Sequence, residues 1–316
     1  YDPERYLVGE VFGTPQVIRK YLGGERPDGL HSAFLFHTLA LPLKARSVRR
    51  LIEEFERQFP EPYMPVWVFS NHDRMRRIHR LGYDTVKAKL NAALQLTVRG
   101  IPYIYYGEEI GQRQHGGIRF RDARDPVARR YAWLPECIAN IVQRITSGSL
   151  HRDRCRTPMQ WTPEEGVGFS DGSSDGSSDG SSDGAAEPWL PAAPGYETAN
   201  VQTQRADPDS LFHCYRSFLV LRRKRPALHA GSIEVLPEAG LPKGVLAYTR
   251  SCGDDSLCVV LNMRGAAIEM QPPAGCGPVL ISTRAGRPGD STRAGGNGLF
   301  LSPWEGVVLE RTSPGR

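Results

Sequence analysis

Apolar residues recur along this chain in two rhythms, and the change from one to the other divides it. Up to about residue 106, short apolar runs alternate with amphipathic stretches. Tyr6-Leu7-Val8-Gly9-Glu10 reads as a strand that ends in Glu10, and Ala33-Phe34-Leu35-Phe36 is the next apolar run. Ser47 can cap a helix in which Val48, Leu51, Ile52 and Phe55 recur at helical spacing. Val66-Trp67-Val68-Phe69-Ser70 is a buried strand that runs straight into Asn71-His72-Asp73. Asp84 can cap a second helix, with Val86, Leu90, Ala93 and Leu94 on one face. Ile101 to Tyr106 is the next strand, opened by Gly100 and closed by Gly107. Strands that alternate with helices through short connections run parallel.

A long irregular stretch follows, from 107 to about 207. It exceeds an ordinary connection and is therefore functional, inserted or partly disordered. Leu211, Tyr215, Phe218 and Leu219 then mark a helix that stops at Pro226. From 231 the rhythm becomes β throughout, with short runs at 233–236, 245–249, 257–261, 278–281, 299–301 and 307–309 separated by Gly and Pro. This predicts a small all-β domain over 230–316, a sandwich.

Composition changes the picture at three points. Residues 170–184 repeat Ser-Asp-Gly-Ser with no apolar member, so a calcium-binding solenoid cannot build a core there. A flexible, dispensable low-complexity insertion is the expectation. The net charge of +5 would suit an acidic partner, but only six of the 40 basic residues are Lys and the Arg residues are scattered. With no basic stripe and no interleaved aromatics, nucleic-acid binding is not expected. Six cysteines occur at irregular spacing without a C-x-x-C pair, which suggests neither a metal site nor a disulfide framework and suits the reducing cytoplasm. No apolar stretch nears the ~18 residues of a membrane span, so no membrane partner is expected.

The candidate chemistry sits at strand ends. In a barrel of parallel strands, catalytic residues gather at the C-terminal ends. Glu10 and Asp73 both arrive there, and two carboxylates flanking an acetal can serve as proton donor and charge stabiliser. Each residue also has a plainer reading: Glu10 as half of a salt bridge, and His72 as a packed histidine.

Four segments carry a resemblance to a known family. They are Leu7-Val8-Gly9-Glu10-Val11, Phe69-Ser70-Asn71-His72-Asp73-Arg74, the run Gly100-Ile101-Pro102-Tyr103-Ile104-Tyr105-Tyr106-Gly107-Glu108-Glu109-Ile110-Gly111, and Cys155-Arg156-Thr157-Pro158-Met159-Gln160-Trp161. In order and approximate spacing the chain resembles the C-terminal part of an α-glucosidase of the α-amylase superfamily, glycoside hydrolase family 13, in its oligo-1,6-glucosidase-like branch. The likeness continues through Glu187-Pro188-Trp189-Leu190-Pro191 and Pro303-Trp304-Glu305-Gly306-Val307-Val308.

The resemblance implies an α/β fold. Residues 1–229 would form the C-terminal half of a TIM (β/α)8 barrel, strands five to eight, with the long loop 107–207 and its insertion 170–184; the β-sandwich would follow over 230–316. It implies a retaining α-glucosidase acting on short α-linked gluco-oligosaccharides, with no cofactor and no metal. Glu10 would be the general acid/base and Asp73 the transition-state stabiliser. His72 would bind the sugar in the first subsite, and Arg156 would face the pocket or serve a structural ion pair. Glu108 and Glu109 are candidate acids, but loop carboxylates that order a strand end are the favoured reading. The family's nucleophile is an Asp on the fourth strand, upstream of the Glu10 motif, and no residue here matches it; neither Asp2 nor Asp28 takes that role. The 316-residue chain is therefore expected to be inactive alone. Glu10, His72, Asp73 and Arg156 are expected to converge at one rim. The partner implied is a small-molecule α-glucoside, and nothing in the sequence sets an oligomeric state. Two rival readings remain: a glucosyl-transferring or isomerising relative, such as a trehalose synthase or a sucrose isomerase, and a non-catalytic sugar-binding relative.

Overall fold

A computed structural model describes residues 5–145, 150–169, 188–284 and 298–312. The Ser/Asp/Gly tract at 170–184 lies outside the described residues. The chain divides into two compact units. The first comprises Tyr1–Val68, Lys89–Tyr103 and Cys214–Arg316, and the second Phe69–Ala88 and Ile104–His213. Among the described residues, no helix is long and apolar enough to cross a membrane.

In the first unit, strands β1 (Val8–Gly9) and β2 (Ser32–Ala33) pair in parallel. Phe34 bridges in parallel to Val66 of β3 (Val66–Val68), which pairs in parallel with β4 (Ile101–Tyr103). Four parallel strands thus follow one another in chain order, as the alternation predicts. They are shorter than the apolar runs, because side chains take over the backbone groups early. Thr38 Oγ1 donates to Val68 O at 2.5 Å, and the Val68 amide donates back to it at 3.3 Å. Gly100 opens β4 with φ +133°, where a Cβ would lie 2.3 Å from Pro65 O, so only glycine fits.

Helix α1 (Pro15–Tyr21) begins with Thr14 as cap and proline at its first position. Helix α2 (Ala45–Gln58) buries Val48, Leu51, Ile52 and Phe55 as expected. Its start is earlier than the sequence suggests: Lys44 is the cap residue and Ser47 lies inside the first turn. In the second unit, α3 (Arg77–Arg80) is a single turn. Helix α4 (Thr85–Thr97) runs from one unit into the other. Asp84 caps it, its Oδ1 accepting from the Val86 and Lys87 amides at 2.9 and 3.1 Å.

Within the first unit, α4 is buried on every side; Leu90, Ala92, Ala93, Leu94 and Leu96 are all sealed from solvent. Two arginines satisfy the carbonyls at and just beyond its C-terminal end, where no helical partner exists. Arg250 donates to Thr97 O and Arg222 to Leu96, Val98 and Gly100 O. Arg99, just past the helix, donates to Phe59 and Tyr63 O beyond α2 and pairs with Glu56. Burial lowers the Arg222 guanidinium to about 10 and the Arg250 guanidinium to about 9.

The helices α5 (Pro126–Arg129), α6 (Glu136–Ile145) and α7 (Val201–Ala206) occupy the stretch read as irregular. The helix marked by Leu211 to Leu219 is α8 (Leu211–Lys224), followed by the turn α9 (Pro226–His229).

Among the described residues seven strands follow: β5 (Ser232–Val235), β6 (Val245–Cys252), β7 (Asp255–Asn262), β8 (Ile268–Met270), β9 (Cys276–Ser282), β10 (Leu299–Leu301) and β11 (Gly306–Arg311). Five form an antiparallel sheet in the order β5-β6-β7-β11-β9, while β8 and β10 pair separately. Val245, Ala247, Cys258, Val260, Val307 and Leu309 meet Ile268, Met270, Leu299 and Leu301 in one apolar cluster, so the two sheets face each other. The opposite face of the larger sheet rests on α4, with Tyr248 Oη 2.6 Å from Thr97 Oγ1. A Cβ on Gly306 would stand 3.0 Å from Leu90. Burial on both faces explains why β6 and β7 read as continuous apolar runs rather than alternating ones. Strand β8 escaped the sequence reading because Glu269 breaks a run of only three residues.

Candidate active site

The segment after β3 turns away in a backbone set by its own side chains. The Asn71 side-chain oxygen accepts from the Asp73 amide at 3.1 Å, and the Ser70 hydroxyl accepts from the Arg77 amide at 2.8 Å. This presents His72 and Asp73 outward, with side chains 55% and 32% exposed.

Three cationic or titratable groups converge on one oxygen of Asp73. Arg156 Nη2 donates to Oδ1 at 2.9 Å, Arg152 Nη1 at 3.2 Å, and His72 Nε2 lies 3.6 Å away. Among the described residues, Oδ2 has no hydrogen-bond partner. The carboxylate is therefore held by one oxygen and open at the other. It can accept hydroxyl protons from a ligand and set a negative charge beside a developing positive one.

Arg156 also donates through Nε to His72 O at 2.8 Å, and the buried Cys155 thiol donates to the same carbonyl at 3.3 Å. Burial pushes that thiol up to about 11, so it stays protonated as a donor. The loop that carries Cys155 and Arg156 is bound to the segment after β4. Tyr105 Oη donates to Cys155 O at 3.2 Å, Tyr106 Oη to Thr157 O at 2.8 Å, and Gln112 Nε2 to Pro158 O at 2.8 Å. The buried Arg76 guanidinium lies 5.0 and 4.9 Å over the Tyr105 and Tyr106 rings.

Glu108 turns back to accept from the Tyr105 amide at 3.4 Å, which orders the strand end. Burial raises its carboxyl to about 7, against the pull of Arg80 and Arg77. Among the described residues there is no group of three or more His, Cys, Asp or Glu side chains placed to hold a metal ion.

Of the residues singled out in the sequence, the structure brings His72, Asp73 and Arg156 together within the second unit. Glu10 belongs to the first unit, where it directly follows β1 and is exposed. The sequence reading missed Arg152 and Asp125. Asp125 precedes Pro126 at the start of α5, a pattern that marks a cap and could have drawn attention. Arg152 stands four residues before Arg156, but nothing in that spacing told it apart from the many other arginines.

Parallel strands in chain order, with a buttressed carboxylate at the end of one, are the marks of a (β/α)-barrel enzyme class. The chain belongs to the alpha-amylase family: its catalytic-domain model matches residues 1–231. It is 31% identical to a probable alpha-glucosidase of Rhizobium meliloti, over 86% of this chain and 44% of that protein. It is 27% identical to an oligo-1,6-glucosidase of Halalkalibacterium halodurans, over 84% of this chain and 48% of the relative. Among solved structures it is similar to the trehalulose synthase MutB from Pseudomonas mesoacidophila, with TM-score 0.76, 26% identity and coverage of 96% of this chain and 55% of the other. The chain spans about half the length of the curated relatives it matches.

Proposed function

We propose that this chain supplies the acid/base and stabiliser half of a retaining α-glucosidase acting on short α-linked gluco-oligosaccharides. Its residues 1–229 then correspond to strands five to eight of a (β/α)8 barrel, and 230–316 to the β-sandwich that follows. Glu10 protonates the leaving oxygen and afterwards activates water. Asp73 stabilises the oxocarbenium-like transition state through its open Oδ2, while His72 and Arg156 orient the sugar. The observation that carries the reading is the fixed, half-exposed Asp73 carboxylate after β3, gripped at Oδ1 by two guanidinium groups.

No residue here matches the family's nucleophile, so the 316-residue chain alone is expected to turn over an aryl α-glucoside negligibly. Joining it behind the first half of the Rhizobium meliloti relative should restore turnover, and Glu10→Gln in that joined enzyme should abolish it. Strong turnover by the chain alone, lost on Glu10→Gln, would overturn the division of labour and place a nucleophile within these residues. Six unbridged cysteines support a reducing, cytoplasmic setting.

A second reading is favoured by the likeness to trehalulose and isomaltulose synthases, which suggests a glucosyl-transferring or isomerising enzyme. Product analysis with sucrose separates the two: glucose and fructose for a hydrolase, an isomeric disaccharide for an isomerase.

A further inference from the structure

Arg152 makes a bidentate fork with a second carboxylate. Its Nε donates to Asp125 Oδ2 at 2.9 Å and its Nη2 to Asp125 Oδ1 at 2.7 Å, leaving Nη1 to reach Asp73. A guanidinium held at two points has its plane fixed, so the direction of the third nitrogen follows. Asp125 is itself immobilised. It is 2% exposed, its Oδ1 accepts from the Val127 amide at 3.1 Å, and its own amide donates to Asp153 Oδ2 at 3.0 Å. Asp153 also accepts from the Arg124 amide at 2.7 Å, so the whole turn before α5 is tied down.

Arg156 differs. It bonds the Asp73 carboxylate and the His72 carbonyl, so both its contacts lie on the segment it holds. Arg152 instead connects that segment directly to a second carboxylate that is anchored on its own. The charges matter as well. Asp73 with Arg152 and Arg156 would sum to +1, and Asp125 returns the cluster to zero. A group that must stabilise positive charge on a sugar is weakened by uncompensated guanidinium charge beside it.

We infer that Asp125 is a positioning residue for Asp73, acting through Arg152: it fixes the Oδ1 anchor and cancels the charge of the guanidinium that supplies it. The inference rests on the glucosidase reading for its consequence and on geometry alone for its existence, and the two can be tested apart.

The geometric arm uses the full chain, with carboxyl-13C and arginine-15N labels read by NMR. Asp125→Asn keeps a cap oxygen for the Val127 amide and removes the charge that holds Arg152. The expected result is a shifted, broadened Asp73 carboxyl signal and loss of slow exchange at the Arg152 Nε–H. Asp73→Asn should leave that Nε–H protected, because Asp125 holds it. Arg152→Lys, whose single ammonium cannot serve both carboxylates at this geometry, should reproduce the Asp73 change. An unmoved Asp73 signal in both Asp125→Asn and Arg152→Lys would overturn the inference whatever the chain does to sugars.

The kinetic arm uses the joined enzyme. Asp125→Asn should cut kcat by about tenfold to a hundredfold while KM moves less than about threefold, the split expected when a transition-state contact is misplaced. Asp125→Ser, which also keeps a cap, should lose as much. If Asp73→Asn is harmless, the glucosidase reading fails. If Asp73→Asn is crippling and both Asp125 variants are silent, only the positioning inference fails.

Discussion

Glu10 and Asp73 each follow a short parallel strand, yet their surroundings differ completely. Asp73 comes after β3, which is paired with β4, bridged by Phe34 and sealed from solvent. Its carboxylate is met by two arginines and a histidine. Glu10 comes after β1, and among the described residues β1 pairs only with β2 and Glu10 makes no hydrogen bond or ion pair. Around it Tyr6, Leu7, Val8, Phe12, Val17 and Tyr21 are exposed, Phe12 to 70%. The difference teaches that the same strand-end logic yields a fixed carboxylate only where neighbouring elements of the chain supply the second layer of bonds.

The largest expected effect is on chemistry. In the joined enzyme, Glu10→Gln and Asp73→Asn should each lower kcat by about 10²–10⁴-fold, the range for removing a positioned acid or charge. Steady-state kinetics on an aryl α-glucoside check this, and a loss confined to one of the two would break the pairing.

The second prediction contrasts the strands themselves. Trp67, 1% exposed in β3 and donating to Arg99 O at 2.9 Å, should cost about 3–5 kcal/mol on replacement by Ala. Phe12→Ala should stay within about 0.5 kcal/mol in this chain. Urea melts decide both.

A third concerns pH. The Glu108 carboxyl is raised in the folded state, to about 7 from 4.5, because it is buried. The unfolded chain therefore releases that proton first, and this group's contribution to stability is whole below about 4.5 and lost as pH rises to about 7. The loss is roughly 3 kcal/mol. Glu108→Gln should flatten that part of the profile and raise stability at pH 8, measured by melts across pH.

The smallest effect is a control. Glu10→Gln should leave the stability of this chain within about 0.5 kcal/mol, since an exposed carboxylate without partners holds nothing together. A larger change would show that Glu10 already has a structural task.

Much of this was legible in the sequence, for physical reasons. The parallel strands followed from their apolar runs, and α2 and α4 from helical spacing, because burial enforces periodicity. Asp84 was recognisable as a cap since its side chain acts on its own neighbours. Asp73, His72 and Arg156 could be picked out through local motifs. Asp125 and Arg152 could not, because their partnership is made across the fold and arginine is abundant throughout. The helix α6 was missed inside a stretch where Gly, Pro and polar residues dominate on either side. Strand β8 was too short to show alternation.

The helix α4, buried on every side within the first unit, has one more consequence. Its Thr97 holds Tyr248 and Arg250 of the C-terminal sheet, and Arg49 of α2 donates to Leu236 O at 2.6 Å. Cutting the chain after residue 229 would strip Arg250 from the carbonyl end of α4 and bare Leu90 and Ala93 to water. The C-terminal sheet is thus not an interchangeable appendage that could be shuffled onto another protein. It and the parallel strands should melt in one cooperative step, and selection must act on them as a single inherited piece.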